Sequence, residues 1–227
     1  IKLNLNDSKP PKGKLQKYDM SSEQKISSLQ TLSSNSSLNV DLVTSDMPLP
    51  KESWWENSRI VSIETTGTGM SGEQNATIPN NCKTAKLIST DITELKNIPS
   101  VLENLSLEKN NSLGNLSISN QTNIKSLDLN KNDNLISVDL GTQQVLQTLN
   151  VGGSIETLTG ELPELLELDV SNSNISSIDV TNAVKVKTLL ANSTKISSID
   201  ATNFTSLEVI NLSDCKQLSS SLDAIKL

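Results

Sequence analysis

Short bursts of apolar–polar–apolar alternation recur along this chain at a nearly fixed interval. One series of alternating pairs is Ala85/Leu87, Leu105/Leu107, Leu127/Leu129, Leu149/Val151, Leu168/Val170, Leu189/Ala191 and Ile210/Leu212. Its first members step by 20, 22, 22, 19, 21 and 21 residues. A second series lies between them: Leu95/Asn97, Leu116/Ile118, Val138/Leu140, Leu158/Gly160, Ile178/Val180 and Ile199/Ala201. Each pair reads as a short, half-buried strand. Two interleaved series in register through more than half the chain predict a coil, with one strand of each series per turn on opposite sides of a shared core. A single turn cannot bury its apolar face, whereas stacked turns bury a continuous one, and about three or more are needed. The first series is expected to form a parallel sheet along one face. The second should form a less regular ladder on the other.

The two series differ in the residues just beyond each pair. Three residues after the second apolar member of the first series stand Thr90, Asn110, Asn132, Ser154, Ser173, Thr194 and Cys215. All are small and able to hydrogen-bond. They are expected to form a ladder satisfying backbone groups where the chain bends inside the coil. The matching places of the second series hold Gln121, Gln143, Pro163, Ala183 and Phe204, which obey no such rule. One turn is shortened between Gly152 and Leu166, and Pro163 there suits a loop better than a ladder position.

The pattern L-x-x-L-x-L-x-x-N, carried by LENLSLEKN and IKSLDLNKN, resembles a leucine-rich repeat. The second half of each turn, as in ISSIDVTN and LISVDLGT, resembles a bacterial variant of about twenty-one residues with a second Leu-x-x-Leu-Asp-Leu unit nested in the first. This resemblance covers residues 82–227. It implies a leucine-rich-repeat solenoid whose repeats bind protein, often at a cell surface or outside the cell.

Residues 1–80 read differently from residues 81–227. SSEQKISSLQTL has helical spacing and a capping-box start, and predicts a short helix. Ser37 to Val43 and Arg59 to Thr65 alternate as strands, with a loop between them that carries Trp54 and Trp55. GTGMSGEQ lacks the lysine of a phosphate loop and reads as a turn. Because the end of a solenoid exposes an apolar cross-section, residues 1–80 are expected to form an N-terminal cap. One tryptophan would cover that cross-section and the other would stay exposed as a contact residue.

Composition narrows the function. The net charge is −7, with no cluster of Lys or Arg, which argues against nucleic acid and against anionic membranes. Histidine is absent, so Ser-His-Asp and Cys-His chemistry are excluded and a zinc site loses its usual imidazole ligands. The two cysteines, Cys82 and Cys215, exclude a disulfide framework by count, and no apolar run approaches a membrane span of about 20 residues. The sequence starts at Ile1 and stops at apolar Leu227, which suggests a processed or truncated chain whose targeting or anchoring segments lie elsewhere.

No catalytic residue, metal or cofactor is expected. The outward positions of the first series include Asp128, Asn150, Asp169, Leu190 and Asn211, an almost continuous polar strip of modest negative charge. With Trp54 and Trp55, these are the candidate contacts for a protein partner. The aspartates Asp128, Asp139, Asp169, Asp179 and Asp200 recur with the repeat and are expected to point to water. The resulting expectation is a non-enzymatic binding or adhesion module of a bacterial surface or secreted protein. The alternative is a purely structural segment of a larger surface protein.

Overall fold

The computed structural model describes residues 75–78, 80–90, 92–200 and 202–218, together with strands at 2–4, 40–45, 60–66 and 225–226. Trp54, Trp55, the expected helix near residues 21–32 and the Gly67–Gln74 turn lie outside the described residues. Strands are numbered in chain order. The main sheet holds ten: β1 (Lys2–Asn4), β2 (Val40–Ser45), β3 (Ile60–Thr66), β5 (Thr84–Ile88), β7 (Asn104–Ser106), β8 (Ser126–Asn132), β10 (Thr148–Gly153), β12 (Glu167–Asp169), β14 (Thr188–Leu190) and β16 (Val209–Asn211). They lie side by side in that order, all parallel. The second ladder is broken into three small parallel sheets. These are β4 (Asn75–Thr77) with β6 (Glu94–Asn97), β9 (Ser137–Thr142) with β11 (Thr157–Glu161) and β13 (Asp179–Thr181), and β15 (Ile199–Asp200) with β17 (Ile225–Lys226). Among the described residues there is no helix.

The register obeys the apolar series. Leu105, Leu127, Leu149, Leu168, Leu189 and Ile210 are successive partners across β7 to β16. Leu127, Leu129, Leu149, Val151, Leu168 and Val170 are at most 1% exposed, and Leu140, Leu158 and Val180 of the second ladder pack into the same core. The sheet also continues upstream, where Ala85 partners Ile63 and Ile63 partners Leu42. Residues 40–66 therefore carry the same sheet, at steps of 21 and 22 residues, into the stretch that composition set apart.

A left-handed residue marks each corner after the main sheet. Ser89, Lys109, Lys131, Asn172, Ser193 and Asp214 have φ between 54° and 59°, and Gly153 has φ 80°. Each stands immediately before a ladder residue. The N–H groups of Lys109, Asn172 and Ser193 still donate to the next turn, to Asn130, Asn192 and Ser213. The chain thus turns inward in one residue without losing its last rung. An L-residue held there costs roughly 1–2 kcal/mol, less for Asn and Asp.

Behind the corners stands the ladder. Asn110 and Asn132 are fully buried, and Thr90, Ser173, Thr194 and Cys215 are buried as well. The Oδ1 of Asn110 accepts from the Thr90 N–H at 2.9 Å and the Thr90 hydroxyl at 2.8 Å. Its Nδ2 donates to the carbonyls of Leu87 at 2.6 Å and Leu107 at 2.9 Å. The Asn110 N–H in turn donates to Asn132 Oδ1. Later turns use hydroxyls locally: Ser173 donates to the Val170 carbonyl and Thr194 to that of Ala191. Cys215 Sγ lies 3.0 Å from the Ala191 carbonyl and 3.2 Å from Thr194 Oγ1, and both cysteines are buried free thiols. Ser154 is half-buried, and no side-chain bond of it is among those described.

One second-series position does the same work. Gln143 is buried, and its Nε2 donates to Leu140 and Ile118 carbonyls on its own and the preceding turn. Its Oε1 has no partner, because the Gln121 N–H that could meet it donates to Ile118 instead. Pro163 lies in a turn beside the fully buried Leu162.

Candidate functional site

From β5 to β14 each main-sheet strand offers an outward position between two core residues, and β16 continues the row. Pairing aligns Glu64, Lys86, Ser106, Asp128, Asn150, Asp169, Leu190 and Asn211 in one row across eight strands. The sequence-predicted residues Asp128, Asn150, Asp169, Leu190 and Asn211 are therefore brought together, and all are half-buried. The neighbouring outward positions are less uniform than alternation suggests. Gly152 and Ser171 are buried, not outward. A Cβ on Gly152 would stand 2.5 Å from Asn130 Oδ1, so the Asn130 side chain lies across the place where one would project. Ser171 donates to Asn192 Oδ1 at 2.7 Å, which ties it to the next turn.

The strand aspartates have a backbone task. Asp128 Oδ1 accepts the Asn130 N–H at 3.0 Å, and Asp169 Oδ1 accepts that of Ser171 at 2.9 Å. On the second ladder Asp139 caps Gly141 and Asp200 caps Thr202 in the same way, each at 3.0 Å. Asp128 and Asp139 stand in different sheets. The aspartates thus do more than point to water: one oxygen of each of these four holds the N–H two residues on, where the strand bends away. The other oxygens on the main face are left comparatively bare. Asp128 Oδ2 has the Ser106 hydroxyl at 3.4 Å, and no partner of Asp169 Oδ2 is described.

Electrostatics separate the face from its rim. Along the rim before the main strands run Lys83, Glu103, Lys125, Gln147, Leu166, Lys187 and Glu208, each joined to the next by a backbone hydrogen bond. Its charged side chains pair along it: Glu103 bridges Lys125 at 2.8 Å and Lys83 at 3.5 Å, and Lys187 bridges Glu208 at 2.9 Å. The Lys125 ammonium, hydrogen-bonded to Glu103, holds that carboxyl below its ordinary range. Lys131 does the same for Glu108, at 3.1 Å. On the face itself, Asp128, Glu167 and Asp169 form no salt bridge among those described. Burial pushes the Asp128 carboxyl above its ordinary range and the Glu108 charge adds to this, while the Asn130 N–H, the Ser106 hydroxyl and the Lys131 charge partly offset it. Between Asp128 and Asp169, Asn150 Oδ1 is buried without a partner.

Two shallow depressions lie on this face, the first across β5, β7 and β8 and the second over the end of β10. One, of about 340 Å³, is lined by residues including Lys86, Ser106, Glu108 and Asp128. The other, of about 350 Å³, is lined by residues including Lys131, Asp133, Asp169 and Ser171. Ser106 opens the first because a short side chain stands in its row between two longer ones. Gly152 and Gly153 open the second. Among the described residues no three or more acidic or thiol side chains gather as a metal ligand set.

Two parallel ladders wound on one apolar core, at about 21 residues per turn, define a repeat protein of the parallel β-solenoid class. No known protein family, curated protein or solved structure matches the chain. Among the described residues no helix is long and apolar enough to cross a membrane.

Proposed function

We propose that this solenoid is a non-enzymatic protein-binding module of the leucine-rich-repeat kind, capped within residues 1–80 and carried on the surface or exterior of a bacterial cell. The observation that carries the reading is the row Ser106–Asp128–Asn150–Asp169, an aligned polar surface on a rigid sheet, with bare carboxylate oxygens and no metal set among the described residues. Rigid sheets suit recognition, because little conformational freedom is lost on binding. The absence of histidine from the sequence, with no group of three or more acidic or thiol side chains gathered among the described residues, supports binding over catalysis. The repeat pattern supports the family, and the acidic composition supports a solvated exterior role.

The test is affinity capture from envelope and host-surface extracts, followed by alanine substitution of Asp128, Asn150, Asp169 and Asn211. A captured protein whose affinity drops at two or more of these positions supports the reading. A partner indifferent to all four removes this face as the binding surface.

A further inference from the structure

Resting on the protein-binding reading, we propose that the main face takes a basic segment of its partner, seating one cationic side chain in each of the two depressions of that face. The depressions carry the argument. Each holds one lysine already committed elsewhere: Lys86 faces Glu64 at 3.6 Å, and Lys131 faces Glu108 at 3.1 Å. Asp128 in the first, and Asp133 and Asp169 in the second, form no salt bridge among those described, although the Lys131 charge acts on Asp128. The three rim lysines all face rim glutamates, Lys83 and Lys125 sharing Glu103 and Lys187 facing Glu208. A cation arriving from outside meets carboxylates that form no salt bridge among those described.

The spacing is defined by the sheet. Asp128 stands on β8 and Asp169 on β12, with β10 between them, so the two positions are about 10 Å apart at the usual strand separation. A polyproline II segment rises about 9 Å over three residues and returns to the same side, so Arg-Pro-Pro-Arg presents two guanidinium groups at this interval. Each carboxylate is fixed by its own backbone bond and offers a second oxygen to the fork of an arginine.

The experiment titrates the full chain with a capped Gly-Arg-Pro-Pro-Arg-Gly peptide, followed by amide NMR shifts and calorimetry. Shifts should concentrate at Ser106, Asp128, Asp169 and Ser171. Affinity should fall about tenfold or more in Asp128→Asn/Asp169→Asn, where the backbone caps are kept but the charge is lost. Asp139→Asn/Asp179→Asn, on the second ladder, should bind as the parent does. A Glu-Pro-Pro-Glu peptide should bind only after Asp128→Lys/Asp169→Lys. Equal affinity of the parent and the double asparagine variant, or shifts centred elsewhere, overturns the proposal. If a captured partner is sensitive to alanine at Asp128 and Asp169 but indifferent to asparagine there, the basic-partner inference falls and the binding face stands. If neither partner nor peptide engages the face, both fall.

Discussion

Replacing Asn110 with alanine asks whether the turns are tied by buried carboxamides or by apolar stacking alone. The side chain is fully buried and makes four bonds of 2.9 Å or less, two accepted from Thr90 and one donated to each of the Leu87 and Leu107 carbonyls, beside a long one of 3.5 Å to the Glu108 carbonyl. Alanine strands all four partners away from water. At about 1 kcal/mol net per hydrogen bond, the loss is about 4 kcal/mol, near the top of what single substitutions cost. Ser173→Ala is the internal comparison. That hydroxyl donates to Val170 at 2.6 Å and accepts only a long bond, 3.4 Å, from Ile175, so its loss should cost about 1–2 kcal/mol. Asn110→Asp should be no milder than Asn110→Ala, because it turns a second oxygen toward two carbonyls. Urea denaturation followed by circular dichroism measures the difference. Hydrogen exchange of the Thr90 amide localises it, since solenoid turns touch only their neighbours. Equal costs for Asn110→Ala and Ser173→Ala, or unchanged protection of the Thr90 amide, would refute the carboxamide account.

The same geometry gives three further outcomes. Gly153→Ala should destabilise by about 1–2 kcal/mol or more, because φ is 80° and the new Cβ would stand 3.0 Å from the Asn132 nitrogen; Lys131→Gly, at φ 57°, should gain up to about 1 kcal/mol, both read from urea midpoints. For Asp128→Asn the sign comes from a raised carboxyl pKa: the parent is not penalised below the ordinary value of 3.8 and loses stability as pH rises through the folded-state pKa. The variant should therefore be the more stable at pH 7 and show no advantage at pH 3, with thermal melts across that range as the check. Gln143→Leu should cost less than Asn110→Ala in the same urea series, because it loses two bonds while removing an oxygen already without a partner.

The coil was legible because its core is written in leucine, isoleucine and valine at fixed intervals, which gives the main-sheet register from Ala85 onward and part of the second ladder; the second-series pair Leu116/Ile118 reads as a strand but forms none. The upstream continuation was not. Leu42 and Ile63 sit at the right steps, but threonines stand at 44 and 65 where later turns have an apolar second member, so the alternation reads as ordinary strand. The corners were silent for another reason. Only one of the seven left-handed positions after the main sheet is glycine, and nothing in Lys109 or Lys131 announces φ near 58°. Gln143 escaped because a longer carboxamide reaches the carbonyls that asparagine reaches elsewhere. On the face, strict alternation would turn positions 152 and 171 outward, but the first is a glycine and the second is drawn in by Asn192. The row at Asp128, Asn150 and Asp169 could be foreseen. Its unpaired charge could not, because pairing depends on which lysines the rim consumes.

That difference bears on why aspartate stands in the row at all. Capping the N–H two residues on does not require charge: Asn211 does it for Ser213 at 3.1 Å, as Asp128 and Asp169 do at 3.0 and 2.9 Å. On the open second ladder a carboxylate costs little, since water solvates it. At Asp128 the position is half-buried, a second acid lies close by, and the folded chain raises the carboxyl's pKa. A carboxylate there is more expensive than the backbone needs, and the neighbouring lysines are already engaged. Chains carry such local costs most readily where binding relieves them. On the proposed reading, a cation from the partner supplies that relief, so the stability gained by Asp128→Asn at neutral pH should be accompanied by weaker binding of a basic peptide. If the substitution stabilised the fold and left that binding unchanged, the charge would have neither a structural nor a recognition role in this row.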